Sequence, residues 1–185
     1  MTMIIGIDPG SRMTGYGIIL REGSKLSFVD AGTIRTETPE MPERLKRIFE
    51  GITRIVGFHG PTEAAVEQVF MASNPDSALK LGQARGAAVT ALMMKDVAVA
   101  EYTARQIKQA VVGHGAAEKE QVQMMVCRLL HLQVIPQADA ADALAAAICH
   151  AHASNSMNKL LLAAGAGRGR ASMSRGRGRW RLPAE

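Results

Sequence analysis

The chain has 185 residues, of which 47% are hydrophobic, and this suits one domain with a sizeable core of its own. Its formal net charge of +5 is unevenly distributed, since the residues from Lys159 onward include seven basic residues and one acidic one. The rest of the chain is close to neutral, so an anionic partner would chiefly meet the C-terminal segment.

Three features of the sequence predict a cytoplasmic protein without a membrane anchor. Cys127 and Cys149 lie in predicted helices and lack CxxC spacing, which is typical of reduced thiols. The N-terminal segment has no basic region and is interrupted early by Asp8, so it does not read as a signal peptide. No apolar run approaches the roughly 20 residues that a membrane span requires.

The N-terminal part predicts three strands, at residues 3–8, 14–20 and 25–34, with a turn at "REGS" between the last two. Short connections of this kind favour an antiparallel meander. Helical periodicity follows in residues 41–60, where the apolar positions are Leu45, Ile48, Phe49, Ile52, Ile55 and Val56.

The remainder alternates between strands and helices. Strands are predicted at residues 63–70 and 97–102, and helices are predicted at about 76–94, 103–112, 118–131 and 139–152. A meander followed by alternating helices and strands predicts an α/β protein, with a five-stranded mixed sheet and helices on both faces. This order resembles the ribonuclease H-like fold. We expect one domain over residues 1–154, followed by a flexible basic tail rich in glycine and arginine over 155–185.

Four carboxylates occur at unusual places. Asp8 ends an apolar strand and Glu67 interrupts another, which is expected to lie beside the first. Asp139 and Asp142 lie three residues apart at the start of a helix and so point from nearly the same face. Taken singly, Asp8 could serve a turn, Glu67 could face solvent and Asp139 could cap a helix.

Taken together, these acids predict a metal site. Four neighbouring carboxylates repel one another unless divalent cations neutralise them, and an all-oxygen site suits Mg²⁺ or Mn²⁺. Two such ions roughly 3.5–4 Å apart can activate a water and stabilise the leaving oxygen of a phosphodiester. We therefore expect Asp8 to be held by metal.

Four separated motifs resemble the RuvC family of Holliday junction resolvases across roughly residues 3–153. They are "GIDPGSRMTGYGI", "VEQVFMASNPDSALKLGQARG", "YTARQIKQAVVGHGAAEKEQV" and "PQADAADALAAAICHAH". The resemblance implies a Mg²⁺-dependent endonuclease that resolves four-way DNA junctions by paired symmetric nicks in homologous recombination and DNA repair. It also implies that the residues binding two Mg²⁺ ions, or Mn²⁺ in their place, are Asp8, Glu67, Asp139 and Asp142.

The resemblance implies further residues and partners. Lys108 and Lys119 match family positions near the scissile phosphate, where they would stabilise developing charge, although both could also be solvated helix lysines. A homodimer is implied, since two copies can nick a nearly two-fold symmetric junction in paired positions. A branch-migration helicase complex of the RuvA and RuvB type is implied as a partner.

DNA contacts are predicted in the segment that follows Glu67. The family places an aromatic residue at Phe70 against bases of the opened junction, although a core phenylalanine is the alternative. Lys80 and Arg85 are expected to line the DNA path, although Lys80 could be only a solvated helix residue. His114 lies in a glycine loop and has no role that we can assign.

Three other functional classes compete with a resolvase. "IGIDPGS" also resembles the first phosphate loop of actin-like ATPases and sugar kinases, but those proteins need a second phosphate loop and a second domain. A non-catalytic DNA-binding scaffold leaves four acids beside a polyanion unexplained, because such acids weaken DNA binding when no metal is present. A related nuclease that acts on RNA–DNA hybrids is the nearest competitor. The sequence leaves the base preference at the cut open.

Overall fold

The structure, a computed structural model, describes residues 1–68 and 74–167, with side chains as far as Ser154. Five strands and five helices are found in these residues. In chain order they are β1 (Thr2–Asp8), β2 (Met13–Glu22), β3 (Lys25–Arg35), α1 (Met41–His59), β4 (Glu63–Glu67), α2 (Pro75–Met93), β5 (Ala98–Tyr102), α3 (Ala104–Val112), α4 (Lys119–Leu130) and α5 (Ala138–Gly167).

The strands form one mixed sheet in the order β3-β2-β1-β4-β5. β2 is antiparallel to both β1 and β3, which confirms the predicted meander. β1 is parallel to β4, and β4 is parallel to β5, so these three strands end at the same edge of the sheet. The five-stranded mixed sheet is as the sequence predicted.

Helices cover both faces of the sheet, and the alternation of side chains along β1 assigns the faces. Ile5 and Ile7 belong to an apolar cluster with residues of α1 and α2, whereas Ile4 belongs to a cluster with residues of α3, α4 and α5. Because side chains alternate with a period of two, Gly6 and Asp8 share the face of Ile4. The strand pattern thus directs Asp8 toward α5.

Glycines allow α5 to lie unusually close to the sheet. Gly6 and Gly17 face each other across the β1–β2 pair. A Cβ at Gly6 would overlap the backbone carbonyl of Ala143, and a Cβ at Gly17 would lie 2.7 Å from the backbone nitrogen of Leu144. The helix therefore rests with its backbone on the strands, at a separation that only glycine permits.

Two element ends differ from the sequence predictions by more than two residues. β4 ends at Glu67, short of Phe70, although the Gln68 N–H still donates to the Tyr102 carbonyl. The last helix does not end near His152: its backbone continues to Gly167, because the segment is rich in alanine and leucine and contains no proline. Helix thus enters the segment predicted as a flexible tail, and the rest of that prediction lies outside the described residues.

The two cysteines lie on helices and are free thiols, Cys149 buried and Cys127 half-buried. Within the part of the chain that the structure describes, no helix is both long and apolar enough to cross a membrane.

Candidate active site

Asp8 and Glu67 lie side by side at the ends of two parallel strands. The last paired residues of these strands are Ile7 and Val66, so Asp8 and Glu67 occupy the next step of the same register. Ala65 packs in the α5-side cluster, and the alternation along β4 therefore turns Glu67 to the face that Asp8 occupies. Both acids therefore open on the same side of the sheet.

The start of α5 brings the other two acids to the same place. Asp142 lines a cavity of about 260 Å³ together with Asp8 and Glu67. Asp139 lies one turn earlier, and its charge raises the pKa of both Asp8 and Asp142. The four predicted carboxylates, separated by up to 134 positions in the sequence numbering, thus form one electrostatically coupled group.

The pKa shifts show that the charges of these acids are only partly compensated. Burial, followed by the charges of Glu67, Asp142 and Asp139, raises the pKa of Asp8 to about 8. Burial also raises the pKa of Glu67, and the charge of Asp142 adds to that effect. The pKa of Asp142 is raised first by burial as well. A cluster of this kind favours a proton or a cation over free charge.

Two lysines, Lys108 and Lys119, complete the lining of the cavity. Ile107 and Val111 are buried, which fixes the rotation of α3 and turns Lys108 toward the acids. Lys119 is the first residue of α4, and its Nζ lies 3.6 Å from Oδ2 of Asp142. Both lysines oppose the rise in the pKa of Glu67.

The donor chemistry of the cavity fits a hard divalent cation, since every candidate ligand is a carboxylate oxygen. Among the described residues, however, no three acidic, histidine or cysteine side chains are placed closely enough to enclose an ion as they stand. Side-chain rotation about fixed backbone positions would therefore be needed to complete a coordination shell. The residues that would hold the ion are Asp8, Glu67, Asp139 and Asp142.

Of the residues predicted to contact DNA, Lys80 and Arg85 do not line this cavity. Phe70 lies outside the described residues. Lys80 is on α2, where its Nζ lies 2.5 Å from Oδ2 of Asp76. Arg85 is also on α2, but it forms an ion pair with Glu101 and its Nε is buried without a hydrogen-bond partner. The structure therefore joins Arg85 to the protein body, a contact that the sequence did not indicate.

Sequence reasoning also missed a second polar cluster on the α5 face. His150 lies 2.8 Å from Glu63 through Nε2 and 2.8 Å from the Tyr102 hydroxyl through Nδ1. Arg21 adds an ion pair to Glu63 at 3.5 Å and donates to the Ser154 hydroxyl. Its members come from three strands and a helix, so the available signal was only the position of Glu63, four residues before Glu67.

The mixed sheet and its acidic cavity define a nuclease of the ribonuclease H-like class. The sequence matches the family described as crossover junction endodeoxyribonuclease RuvC over residues 4–150. A curated member from Acinetobacter baumannii is 82% identical over 151 residues, which cover 82% of this chain and 83% of that protein. One from Acinetobacter baylyi is 76% identical with the same coverage.

A solved structure agrees with the sequence comparisons. Thermus thermophilus RuvC in complex with Holliday junction substrate has a TM-score of 0.80 and 34% identity, and the match covers 85% of this chain and 97% of that chain. The chain belongs to the RuvC family of crossover junction endodeoxyribonucleases. This is a family of metal-dependent nucleases, in agreement with the four carboxylates.

Proposed function

We propose that this chain resolves Holliday junctions, cutting four-way DNA by paired symmetric nicks in homologous recombination and DNA repair. The observation that carries the proposal is the cavity in which Asp8, Glu67 and Asp142 face Lys108 and Lys119. Acids that bind cations and lysines that attract phosphate are both suited to phosphodiester hydrolysis. The similarity to a RuvC bound to junction DNA supports this choice of substrate.

We propose Mg²⁺ as the cofactor, with two ions per site and Mn²⁺ able to substitute. When bound, the ions would activate the attacking water and neutralise charge on the phosphodiester. The carboxyl groups of Asp8, Glu67, Asp139 and Asp142 would hold them. Because burial and like charges raise the pKa of Asp8 to about 8, this residue must release a proton before it binds a cation at neutral pH.

The two lysines have different surroundings and therefore different proposed roles. Lys119 is 74% exposed and reaches Asp142 only at 3.6 Å, so a phosphate can compete for its ammonium group. Lys108 is half-buried beside Glu67, where its fixed charge would stabilise negative charge that develops on the scissile phosphate.

The homodimer is supported by one face of α2. Gly82 and Gly86 lie one turn apart, and a Cβ at either would meet nothing within 4 Å. Leu79 and Met93 flank them on the same helix and are 64% and 57% exposed. Glycine inside a helix costs about 1 kcal/mol relative to alanine, and no atom of the described residues fills the space beside Gly82 or Gly86. Close approach of a second copy would explain the sequence of this face.

Sedimentation tests the dimer. The wild-type protein should sediment as a dimer, and Gly82→Arg should shift it toward the monomer. Gly57→Arg on α1 is a matched control, because a Cβ there also meets open space. A wild-type monomer with full junction-cutting activity would contradict the proposal.

The family also suggests a location, a protein partner and further DNA contacts. We propose a cytoplasmic location and a branch-migration helicase complex of the RuvA and RuvB type as a partner, both implied by the family. Phe70 and Lys80 stay proposed DNA contacts, whereas Arg85 could contact phosphate only by leaving Glu101. The tail after Ser154 is proposed to add salt-sensitive DNA affinity through its arginines.

The deciding experiment compares cleavage of a mobile four-way junction, a linear duplex and an RNA–DNA hybrid, each with Mg²⁺ and with chelator. We expect paired nicks in the junction only, and only with Mg²⁺. Preferential cutting of the hybrid would instead identify a hybrid-specific nuclease. Undiminished junction cutting in excess chelator would refute the metal site.

A further inference from the structure

Gly15 lies on β2, next to the acid that ends β1. It lies directly opposite Asp8 in the antiparallel pair of β1 and β2. Directly opposed residues in such a pair have Cα atoms about 4.5–5.5 Å apart. Gly15 is therefore the nearest cross-strand neighbour of an acid that the proposed reaction needs.

The first turn of α5 rests on this glycine. A Cβ at Gly15 would overlap the backbone carbonyl of Asp139 and would lie 3.2 Å from the Asp139 Cβ. Both obstacles belong to Asp139 itself, and the carbonyl is backbone, which cannot rotate away as a flexible side chain can. Gly6 and Gly17 contact later residues of α5 and neither meets Asp139 within its closest contacts.

We propose that Gly15 is a positioning residue: its missing side chain lets the start of α5 lie against β2 and so sets the Asp139 carboxyl group beside Asp8. A methyl group at this position would lift the first turn of α5 from the sheet. The lift displaces Asp139 relative to Asp8 and Glu67, whose strands stay in place. A shift of about 1 Å in a catalytic constellation can lower a rate about 100-fold.

The experiment measures junction cleavage by Gly15→Ala at saturating junction over a range of Mg²⁺ concentrations. We expect a rate about 100-fold lower, a higher Mg²⁺ concentration for half-maximal rate, and junction binding in chelator within about threefold of wild type. Ile52→Ala is the control for lost stability, because Ile52 is fully buried against the opposite face of the sheet. It should lower the unfolding temperature but leave the Mg²⁺ dependence unchanged.

A longer acid tests the direction of the displacement. Asp139→Glu alone should lower the rate by about tenfold, because one added methylene overshoots a position that Gly15 has set. In the Gly15→Ala background the same change should restore part of the lost rate. Should Gly15→Ala fail to fold, Asp139→Glu still decides, since full activity of that variant would show that the position is not closely set.

The inference rests on the proposed function, and the wild-type reaction separates the two. If wild-type protein does not cut the junction, the proposed function fails. If wild type cuts and folded Gly15→Ala cuts equally well with the same Mg²⁺ dependence, only the positioning role is overturned.

Discussion

Glu63 and Glu67 begin and end the same strand and face the same side of the sheet, yet they have opposite surroundings. Glu63 is held by His150 at 2.8 Å and Arg21 at 3.5 Å. Among the described residues, no hydrogen bond or ion pair holds the Glu67 carboxyl group, and both burial and Asp142 raise its pKa. A carboxylate on β4 can therefore be fully paired, as Glu63 is, but Glu67 at the other end of the strand is left unpaired within the described part of the chain.

The difference indicates a structural role for Glu63 and supports the proposed cation-binding role of Glu67. A paired carboxylate contributes charge-assisted hydrogen bonds to the docking of α5, whereas an unpaired one among like charges opposes folding. An arrangement that opposes folding is best explained by a task that requires it, and binding a cation is such a task. Matched substitutions at the two ends of β4 test this contrast.

The largest expected effect is on catalysis at the unpaired end. Glu67→Gln should lower the rate of junction cutting by about 1,000-fold or more, because a cation ligand is lost from the cavity. Glu63→Gln, the same change four residues earlier, should leave the rate within about threefold. Single-turnover cleavage at matched folded fractions measures both variants.

Stability should respond in the opposite order. Glu63→Gln should lower the free energy of unfolding by about 1–3 kcal/mol, since it weakens bonds to Arg21 and His150. Glu67→Gln should not lower it, because no partner is lost. Urea denaturation measures these free energies. Equal losses of stability and of activity in the two variants would contradict the difference between Glu63 and Glu67.

A smaller effect is expected at the lysines. Lys119→Ala should lower the rate by about 10–100-fold, because it removes a cation that faces Asp142 and the incoming phosphate. Lys80→Ala is the control, since Lys80 is an exposed lysine paired to Asp76 outside the cavity. It should change affinity for the junction more than the cleavage rate. A fully active Lys119→Ala would remove this lysine from the site.

The smallest effect concerns pH and stability without metal. The pKa of Asp8 rises from an ordinary 3.8 to about 8 on folding, so the folded protein binds a proton that the unfolded chain releases in this range. In chelator, stability should therefore be highest below pH 4 with respect to this group and should fall as the pH rises toward 8. The loss should be about 1–3 kcal/mol between pH 5 and 7.5.

Asp8→Asn is the control for this titration, since it removes the ionisable group. Its stability in chelator should depend less on pH, and Mg²⁺ should stabilise wild type at pH 8 more than it stabilises the variant. Thermal unfolding at several pH values measures both. Identical pH profiles for the two proteins would show that Asp8 does not carry the shift.

The acids could be predicted from sequence because each violates its local pattern. In the sequence, a charged residue ends an apolar strand at Asp8 and interrupts another at Glu67. Helical spacing places Asp139 and Asp142 on the same face of a helix. Strand alternation and parallel order then suffice to bring Asp8 and Glu67 together, whereas Asp139 and Asp142 reach them through the packing of α5 against the sheet. The same local patterns gave the strand order of the meander and the helices on both faces.

The parts that were missed depend on contacts between distant segments. Nothing in the pattern around Arg85 indicates that Glu101 will pair with it, and His150 reads as one more residue of an alanine-rich helix. The close approach of Gly15 to Asp139 also depends on how α5 crosses β2, which no local pattern records. Tertiary packing decides these pairings, so they emerge only from the folded chain.

The start of α5 at Ala138 has a consequence for the energy of the acidic cavity. Peptide dipoles give the first turn of a helix a partial positive charge, and a carboxylate there gains about 0.3–1 kcal/mol. Asp139 lies in that turn, whereas Asp8 and Glu67 end strands, whose dipoles nearly cancel. The backbone thus supplies part of the counter-charge for one acid, and any change that unwinds this turn would remove it.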